Sequence, residues 1–257
     1  MTVSPLRQSV RPSPVFLLLV ALTVVGGVIA WTATDDYGPM ARVGVFLFVI
    51  AGWVVSLCLH EFGHAYTAWR FGDTDVAARG YLTLNPLKYS NPFLSLVLPL
   101  VFIALGGIGL PGGAVYLRTG FMTPRQRTLV NLAGPFANLL LGVALLAATR
   151  LFGSADHLAF WIGVAFLGFL QITALLLNLL PIPGLDGFNA LEPHLSPATQ
   201  RALQPAKQFG FLILLMVLLA PGPNRMFFDA VFRLVDFLGV DPRLAISGIH
   251  LIRFWSA

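Results

Sequence analysis

Apolar segments long enough to cross a lipid bilayer recur along this chain of 257 residues and limit what it can fold into. The clearest cover residues 15–31, 42–70, 128–148 and 158–180. A transmembrane helix needs about 20 apolar residues, because backbone groups in hydrocarbon must hydrogen-bond within their own segment. Charged residues make up only 11% of the sequence, whereas they make up about a quarter of a soluble domain. We therefore expect an all-α polytopic membrane protein.

Two further segments near the carboxyl end bring the expected number of transmembrane helices to about six. Residues 209–220 are apolar and could form a short span. Within 226–240, Asp229, Arg233 and Asp236 recur at i, i+4 and i+7, which gives an otherwise apolar helix one polar face. That helix either lies at the membrane interface or packs in the bundle.

The region between the second and third long apolar segments predicts irregular structure in or near the membrane. Residues 93–111 begin as a short apolar piece and end in a glycine-rich run, with basic residues on both sides. This pattern favours a re-entrant segment over a full crossing. Residues 81–84 alternate as a short strand would, with a surface loop as an equal alternative, and 114–117 could form a second strand. We expect one of these membrane-associated strands to offer an edge to an extended peptide.

The second apolar segment contains the sequence His-Glu-Phe-Gly-His at 60–64. On a helix, His60 and His64 lie on one face, at the spacing that lets two imidazoles bind a single zinc ion. Glu61 lies about 100° around the helix from His60, close enough to reach a water on that metal. Residues 43–69 carry no other charged side chain, and ionisable groups inside an apolar span are costly and usually functional. We therefore predict a zinc site here, against the alternative of two structural histidines.

The distribution of basic residues predicts the orientation in the membrane. Arg7 and Arg11 precede the first apolar segment, and Arg70 and Lys88 follow the second. Because basic residues collect on the cytoplasmic side, the amino terminus and the active-site side are expected to be cytoplasmic. Glu61 lies nine residues before Arg70, or about 13 Å along a helix. The metal is then expected within the membrane, nearer the cytoplasmic face.

Asp186 is the best candidate for a third metal ligand. A hydrolytic zinc site commonly has three protein ligands and one open position. Asp186 follows the inner end of the span at 158–180, in a turn stiffened by proline and glycine. Its alternative role is a helix cap. His157, His194 and His250 fall in polar loops or at segment ends, which makes them weaker candidates.

These residues favour metal-assisted peptide hydrolysis inside the membrane. Glu61 would take a proton from water and deliver one to the leaving amine. Asn178, three residues before Pro181, would donate its NH₂ to the scissile carbonyl oxygen; the alternative is that it caps helix carbonyls freed by the proline. Asn138 lies within an apolar span, where a packing hydrogen bond is favoured and a secondary role as donor is the alternative.

The same residues could belong to a membrane protein that is not a protease. A metal-binding scaffold without turnover would keep the same residues, but all of the expected catalytic groups are present. An ion transporter could use intramembrane histidines and an aspartate, but it should show paired broken helices in two halves. The net charge of +5 does not indicate nucleic-acid binding, since the basic residues are scattered and form no stripe.

Three motifs, in this order, resemble the site-2 protease family of intramembrane zinc metalloproteases. They are His-Glu-Phe-Gly-His at 60–64, Leu-Ala-Gly-Pro at 132–135 with Asn138, and the segment from Asn178 to Asp186-Gly187. The resemblance implies one zinc ion per chain, held by two histidines and one aspartate. In this sequence those ligands are His60, His64 and Asp186. It also implies that Glu61 is the catalytic acid and base, and that Asn178 contacts the substrate carbonyl.

The resemblance extends to the bacterial branch of that family through Asn-Pro-Leu-Lys at 85–88. In that branch the following residues are commonly histidine and aspartate, but here they are Tyr89 and Asn91. We find no PDZ or CBS region and expect no regulation through one. Residues 1–257 are expected to form a single membrane-embedded metalloprotease domain with a catalytic core at about 42–190. Its partners would be the lipid bilayer and a transmembrane protein or peptide; the residues carry no signal for an oligomeric state.

Overall fold

The protein is described here by a computed structural model that covers residues 10–88 and 115–253. Within these two ranges the chain is built of helices and turns, and no strand is formed. The helices are α1 (Pro14–Trp31), α2 (Pro39–Arg70), α3 (Asp75–Ala78), α4 (Pro124–Phe152), α5 (Leu158–Asn178), α6 (Asp186–Leu191), α7 (Pro197–Lys207), α8 (Gly210–Leu219), α9 (Pro221–Phe237) and α10 (Pro242–Ile252).

Among the described residues, four helices are long and apolar enough to cross a membrane: α1, α2, α4, and α5 together with the turn before it. A fifth span is possible if α7 and α8, which meet at an angle of 71°, count as one broken crossing. The expected total of about six spans is therefore not confirmed in the described part of the chain. The reason is length, since the 10 residues of α8 rise by about 15 Å, half the thickness of the hydrocarbon core.

Proline and short polar side chains set where the long helices begin. Ser13 caps α1 by accepting a hydrogen bond from the Phe16 N–H at 3.1 Å. Thr123 and Gln126 form a reciprocal capping box at the start of α4. The first residue of α1, α2 and α4 is in each case a proline, whose fixed φ and missing N–H suit that position.

Helix α5 lies inside the bundle and the other helices surround it. In its most apolar window 89% of the residues are buried, compared with 22% for α1 and 33% for α4. It contacts α2, α4 and α10, and its side chains Ile162, Phe166 and Leu170 are almost completely buried. Lipid-facing surface is consequently left to the outer helices, and polar groups on α5 face protein.

The predicted strand at 81–84 is wrong. Tyr81–Thr83 form a 3₁₀ turn between Gly80 and Leu84, whose φ angles are 77° and 57°. The two left-handed residues close the segment on itself, and the Thr83 carbonyl accepts a hydrogen bond from the Ser13 N–H at 2.8 Å. Tyr81 and Leu82 are both buried, whereas neighbouring residues of a strand point to opposite faces.

The other expected irregular features are only partly described. Val115 and the residues up to Leu117 form no strand, and Ala114 lies outside the described ranges. The expected re-entrant segment at 93–111, together with Tyr89 and Asn91, also lies outside the described residues. The polar-faced helix expected at 226–240 is present as α9.

Helices α1 and α2 approach one another through glycines. A Cβ atom placed on Gly44 would lie 2.5 Å from the backbone nitrogen of Ala30 and 3.0 Å from the carbonyl oxygen of Gly26. Both neighbours are backbone atoms, which cannot move aside as a side chain can. The contact that holds α1 against the histidine-bearing helix therefore depends on hydrogen at position 44.

We expect Gly44→Ala to destabilise the protein by about 1–3 kcal/mol, because the added methyl overpacks a backbone contact. Thermal unfolding in detergent would show this as a lower midpoint. Gly163→Ala is the matched control, since its Cβ would lie 3.4 Å from the nearest heavy atom, a side-chain carbon of Phe48. Equal midpoints for the two variants would contradict the assigned role of Gly44.

Candidate metal centre

Three buried or partly buried side chains bring their ligand atoms together between α2 and the start of α6. The Nε2 atoms of His60 and His64 are 3.1 Å apart. The Oδ2 atom of Asp186 lies 3.3 Å from each of them. Among the described residues, these three form the one group of histidine, cysteine or acidic side chains close enough to share a metal ion.

Helix α2 places the two histidines, and α4 orients them. The rings project from successive turns of α2, with centroids 4.7 Å apart and planes at 80°. The Nδ1 atom of His60 lies 2.5 Å from Oδ1 of Asn138, and the Nδ1 atom of His64 lies 2.7 Å from the carbonyl oxygen of Val130. Both acceptors belong to α4, so the docking of α4 onto α2 turns the two Nε2 atoms toward Asp186.

A sharp turn brings Asp186 back to the histidines. Helix α5 ends at Asn178, and the chain then turns through Gly184, whose φ is 96°. Asp186 is the first residue of α6. A Cβ atom on Gly187 would overlap the carbonyl oxygen of Leu179, so a glycine here lets α6 start directly against the end of α5.

Helix α6 is also tied to α4. Thr128 Oγ1 donates to the carbonyl oxygen of Ala190 at 2.8 Å, and Asn131 Nδ2 donates to that of Asn189 at 3.2 Å. The helix that orients the histidines thus also holds the helix that begins with Asp186.

The residues present fit a bound cation. A backbone carbonyl can only accept, so Nδ1 of His64 carries the proton and Nε2 of the neutral ring has a bare lone pair. His60, whose Nδ1 faces the Asn138 oxygen, is in the same form. Asp186 Oδ2 is buried without a hydrogen-bond partner in the described structure. Three electron-rich atoms therefore face one another at 3.1–3.3 Å, an arrangement that a metal ion would stabilise and that is otherwise repulsive.

Glu61 lies beside this group as the residue after His60, and it is 3% exposed. Its Oε2 atom accepts a hydrogen bond from the Val115 N–H at 3.2 Å. The carboxylate is therefore held in place by backbone from outside α2. It is not one of the three converging groups, which agrees with a role distinct from metal binding.

Asn178 is the last residue of α5 and is 7% exposed. Among the described residues, the side chain of Asn178 caps no helix carbonyl, which was its alternative role. Pro181 has no N–H to donate to the carbonyl of Leu177, four residues earlier. That carbonyl instead accepts a hydrogen bond from the Leu180 N–H at 3.1 Å. Within residues 10–88 and 115–253, the side-chain amide of Asn178 forms no hydrogen bond.

The other candidates fall away from the site or orient it. Asn138 is fully engaged, since its Nδ2 atom donates to Gln171 Oε1 at 3.1 Å while its Oδ1 atom faces His60. His157 lies on Trp31, and His194 bonds Thr128. His250, on α10, is exposed. None of the three histidines reaches the cluster.

The sequence analysis assigned no role at the site to two residues, Gln171 and Gly134. Gln171 is a polar side chain inside an apolar span, a signal that was available. Gly134 showed no signal beyond its place in the second motif. A Cβ atom on Gly134 would lie 2.7 Å from Nε2 of His60 and would overlap Nε2 of His64. The hydrogen at this position therefore leaves open the space between the two ligand nitrogens.

We expect Gly134→Ala to abolish zinc binding, because its methyl group would occupy the space that a metal needs. Zinc content of the purified protein, measured by elemental analysis, checks this. Gly142→Ala on the same helix is the control, since its Cβ would meet the flexible end of Ile172 at 2.8 Å and the Cβ of Gln171 at 3.3 Å, but neither ligand nitrogen. Retention of one zinc ion by Gly134→Ala would place the metal elsewhere.

Comparison with known proteins agrees with this geometry. The family model for peptidase family M50 matches residues 47–160. A protein of Mycolicibacterium smegmatis named as the zinc metalloprotease Rip2 is 64% identical over 257 residues, which are 100% of this chain and 99% of that protein. Rip2 of Mycobacterium tuberculosis is 65% identical over 250 residues, 97% of this chain and 96% of that protein. The similarly named YwhC of Bacillus subtilis is 33% identical over 182 residues, 68% of this chain and 81% of that protein.

No solved structure gives a significant match. The similarity to Rip2 runs along the whole chain, so it includes α2 with its two histidines, α4, and the start of α6. The resemblance to the site-2 proteases is thereby confirmed, and so is zinc as the cofactor. The chain belongs to peptidase family M50 and is an intramembrane zinc metalloprotease.

Proposed function

We propose that this protease hydrolyses peptide bonds of membrane-spanning substrates, with one zinc ion held by His60, His64 and Asp186. The observation that carries the ligand set is the buried Oδ2 atom of Asp186. It has no hydrogen-bond partner in the described structure and lies at the same distance, 3.3 Å, from both Nε2 atoms. We further propose that residues 1–257 act as one domain, with the catalytic core at about 42–190.

Glu61 is the proposed proton carrier. A bound zinc ion supplies Lewis-acid polarisation of a carbonyl and lowers the pKa of water. Glu61 Oε2 accepts from the Val115 N–H, which leaves Oε1 as the atom that exchanges protons. It takes one from the attacking water and delivers it to the nitrogen of the leaving amine. The burial of Glu61 keeps bulk water from competing for that proton.

A membrane-spanning substrate has to lose part of its helix before it can react. The carbonyl groups of a transmembrane helix are bonded to N–H groups four residues further on, and in hydrocarbon each unpaired group costs several kcal/mol. Cleavage is therefore proposed at a point where the substrate unwinds. Residues 81–84 form a 3₁₀ turn and residues 115–117 form no strand, so within the described residues no strand edge is available to receive it.

Asn178 is the proposed donor to the scissile carbonyl oxygen. It is buried, its amide is not used within the described residues, and its segment leads through the turn to Asp186. Asn138 is a poor alternative, because both ends of its amide are engaged. A donor aimed at the developing negative charge stabilises the transition state more than the ground state.

Glu61→Gln and Asp186→Ala should separate chemistry from metal binding. The glutamine is nearly isosteric but cannot shuttle a proton, so this variant keeps its zinc and loses cleavage. The alanine removes a ligand, so that variant loses zinc occupancy. Zinc content and cleavage of a generic membrane-spanning substrate are measured side by side. Residual proteolysis by Glu61→Gln would refute its role in proton transfer, and full zinc occupancy in Asp186→Ala would refute its role as a ligand. If the protein were a transporter or an inactive scaffold, the wild type itself would show no cleavage.

Asn178→Ala should keep zinc and thermal stability while losing roughly 10² to 10³ in kcat. Single-turnover cleavage and a melting curve on the same preparation check this. Leu179→Ala, the next residue and a half-exposed one, is the control for disturbance of the helix end. A lower melting point with near-normal turnover would make Asn178 structural.

We also propose a multi-pass arrangement in the cell membrane, with the amino terminus and the active-site side in the cytoplasm. Arg7 and Arg11 lie before α1, and Asp35 and Asp36 follow it. Ser4→Cys combined with Cys58→Ala provides a single thiol outside the first helix. An impermeant thiol reagent should label it only after the cells are opened. Labelling in intact cells would reverse the orientation.

A further inference from the structure

A chain of hydrogen bonds runs from the zinc site into the interior between α2, α4 and α5. Oδ1 of Asn138 bonds His60, its Nδ2 donates to Gln171 Oε1 at 3.1 Å, and Gln171 Nε2 donates to Ser56 Oγ at 2.9 Å. Ser56 Oγ in turn donates to the carbonyl oxygen of Trp53 at 2.7 Å. The three linking side chains are 0–4% exposed, so no bulk water competes for their bonds.

The direction of donation along these hydrogen bonds is set at the Ser56 end. The Trp53 carbonyl can only accept, so the single proton of the Ser56 hydroxyl lies between the two oxygens. Ser56 must then accept its second bond from the NH₂ of Gln171. This points the oxygen of Gln171 at the NH₂ of Asn138, and it leaves the oxygen of Asn138 facing His60.

We propose that Ser56 and Gln171 are positioning residues that fix His60 in the tautomer protonated on Nδ1, with Nε2 free to bind zinc. This inference rests on the proposed ligand role of His60. His64 needs no such chain, because its Nδ1 atom donates directly to a backbone carbonyl. The partner of His60 is an amide, which offers an oxygen or an NH₂ according to how it is turned.

If the direction of these hydrogen bonds were reversed, His60 could no longer bind the metal. If Gln171 and Asn138 both turned over, Asn138 would offer its NH₂ to Nδ1 of His60. The proton of the neutral ring would then move to Nε2 and point at His64 Nε2 and Asp186 Oδ2. A protonated Nε2 has no lone pair for a metal, so the orientation of a glutamine on α5 decides whether α2 can present two ligands.

The test uses two variants of Gln171 that differ in polarity. Gln171→Leu removes the acceptor for Asn138 and should admit the Nε2-protonated form of His60. Gln171→Glu, as the neutral acid in this buried site, donates to Ser56 and accepts from Asn138, so it should preserve the wild-type tautomer. Thr173→Val is the control, because Thr173 is equally buried on α5 but bonds only the Phe169 carbonyl.

Two measurements on the full chain decide the matter. Nitrogen-15 NMR of histidine-labelled, metal-free protein reports the tautomer of His60, and competition with a chelator reports zinc affinity. We expect Gln171→Leu to show Nε2–H signal and to bind zinc about 10- to 100-fold more weakly, as changes to the groups that orient a metal ligand commonly do. Gln171→Glu and Thr173→Val should match the wild type in both measurements.

An unchanged tautomer and affinity in Gln171→Leu would overturn the proposal. If that variant does not fold, Ser56→Ala removes the group that sets the polarity, and a pure Nδ1–H population in it would overturn the proposal equally. Neither the tautomer nor the zinc affinity depends on whether the protein cleaves a substrate. If the proposed role of this chain of hydrogen bonds fails, the protease assignment is unaffected. If instead the wild type shows the expected tautomer but binds no zinc, the proposed zinc site is refuted and the tautomer proposal is not.

Discussion

The close crossing of α2 and α4 is the contact on which the rest of the site depends. A Cβ atom on Gly63 of α2 would lie 2.8 Å from the carbonyl oxygen of Ala133 on α4. Only at this separation can Val130 and Asn138 reach the Nδ1 atoms of His64 and His60, respectively. The approach of two backbones thus determines the orientation of both rings, as small residues commonly permit between membrane helices.

The crossing also explains why polar groups can be placed so deep in an apolar protein. Among the described residues, Asn138, Gln171 and Ser56 are buried near the metal centre and each forms side-chain hydrogen bonds within the bundle. Gln171 is contributed by α5, the most deeply buried of the four long helices, and is itself fully buried. A polar group on an outer helix would instead meet lipid, where an unpaired donor or acceptor is costly.

Much of the site could be predicted from sequence because its determinants are local. The spacing of His60 and His64 places them on one helical face, and the proline and glycine after α5 predict the turn that returns Asp186. The long apolar segments likewise predicted α1, α2, α4 and α5. Pairings between distant residues have no such signature. Asn138 and Gln171 are 33 residues apart, and Asn138 and His60 are 78 apart.

The strand at 81–84 is wrong and the six spans are not confirmed, and both expectations arose where the local pattern is a weak guide to tertiary contact. Alternation at 81–84 is a weak signal over four residues, and the left-handed Leu84, a conformation rare for a residue with a side chain, could not be foreseen. The estimate of six spans treated α8 as long enough to cross, because apolar composition shows no difference between a short buried helix and a span.

The groups that accept hydrogen bonds from His64, and on α6 from the side chains of Thr128 and Asn131, are backbone carbonyls, of Val130, Ala190 and Asn189. A carbonyl is present whatever side chain the residue carries, so these three positions can vary during evolution while their bonds persist. His60 has no such protection, since its orientation passes through the side chains of Asn138, Gln171 and Ser56. The two zinc-facing histidines are therefore geometrically alike but differ in mutational robustness, and inherited loss of metal binding would arise more readily through the surroundings of His60.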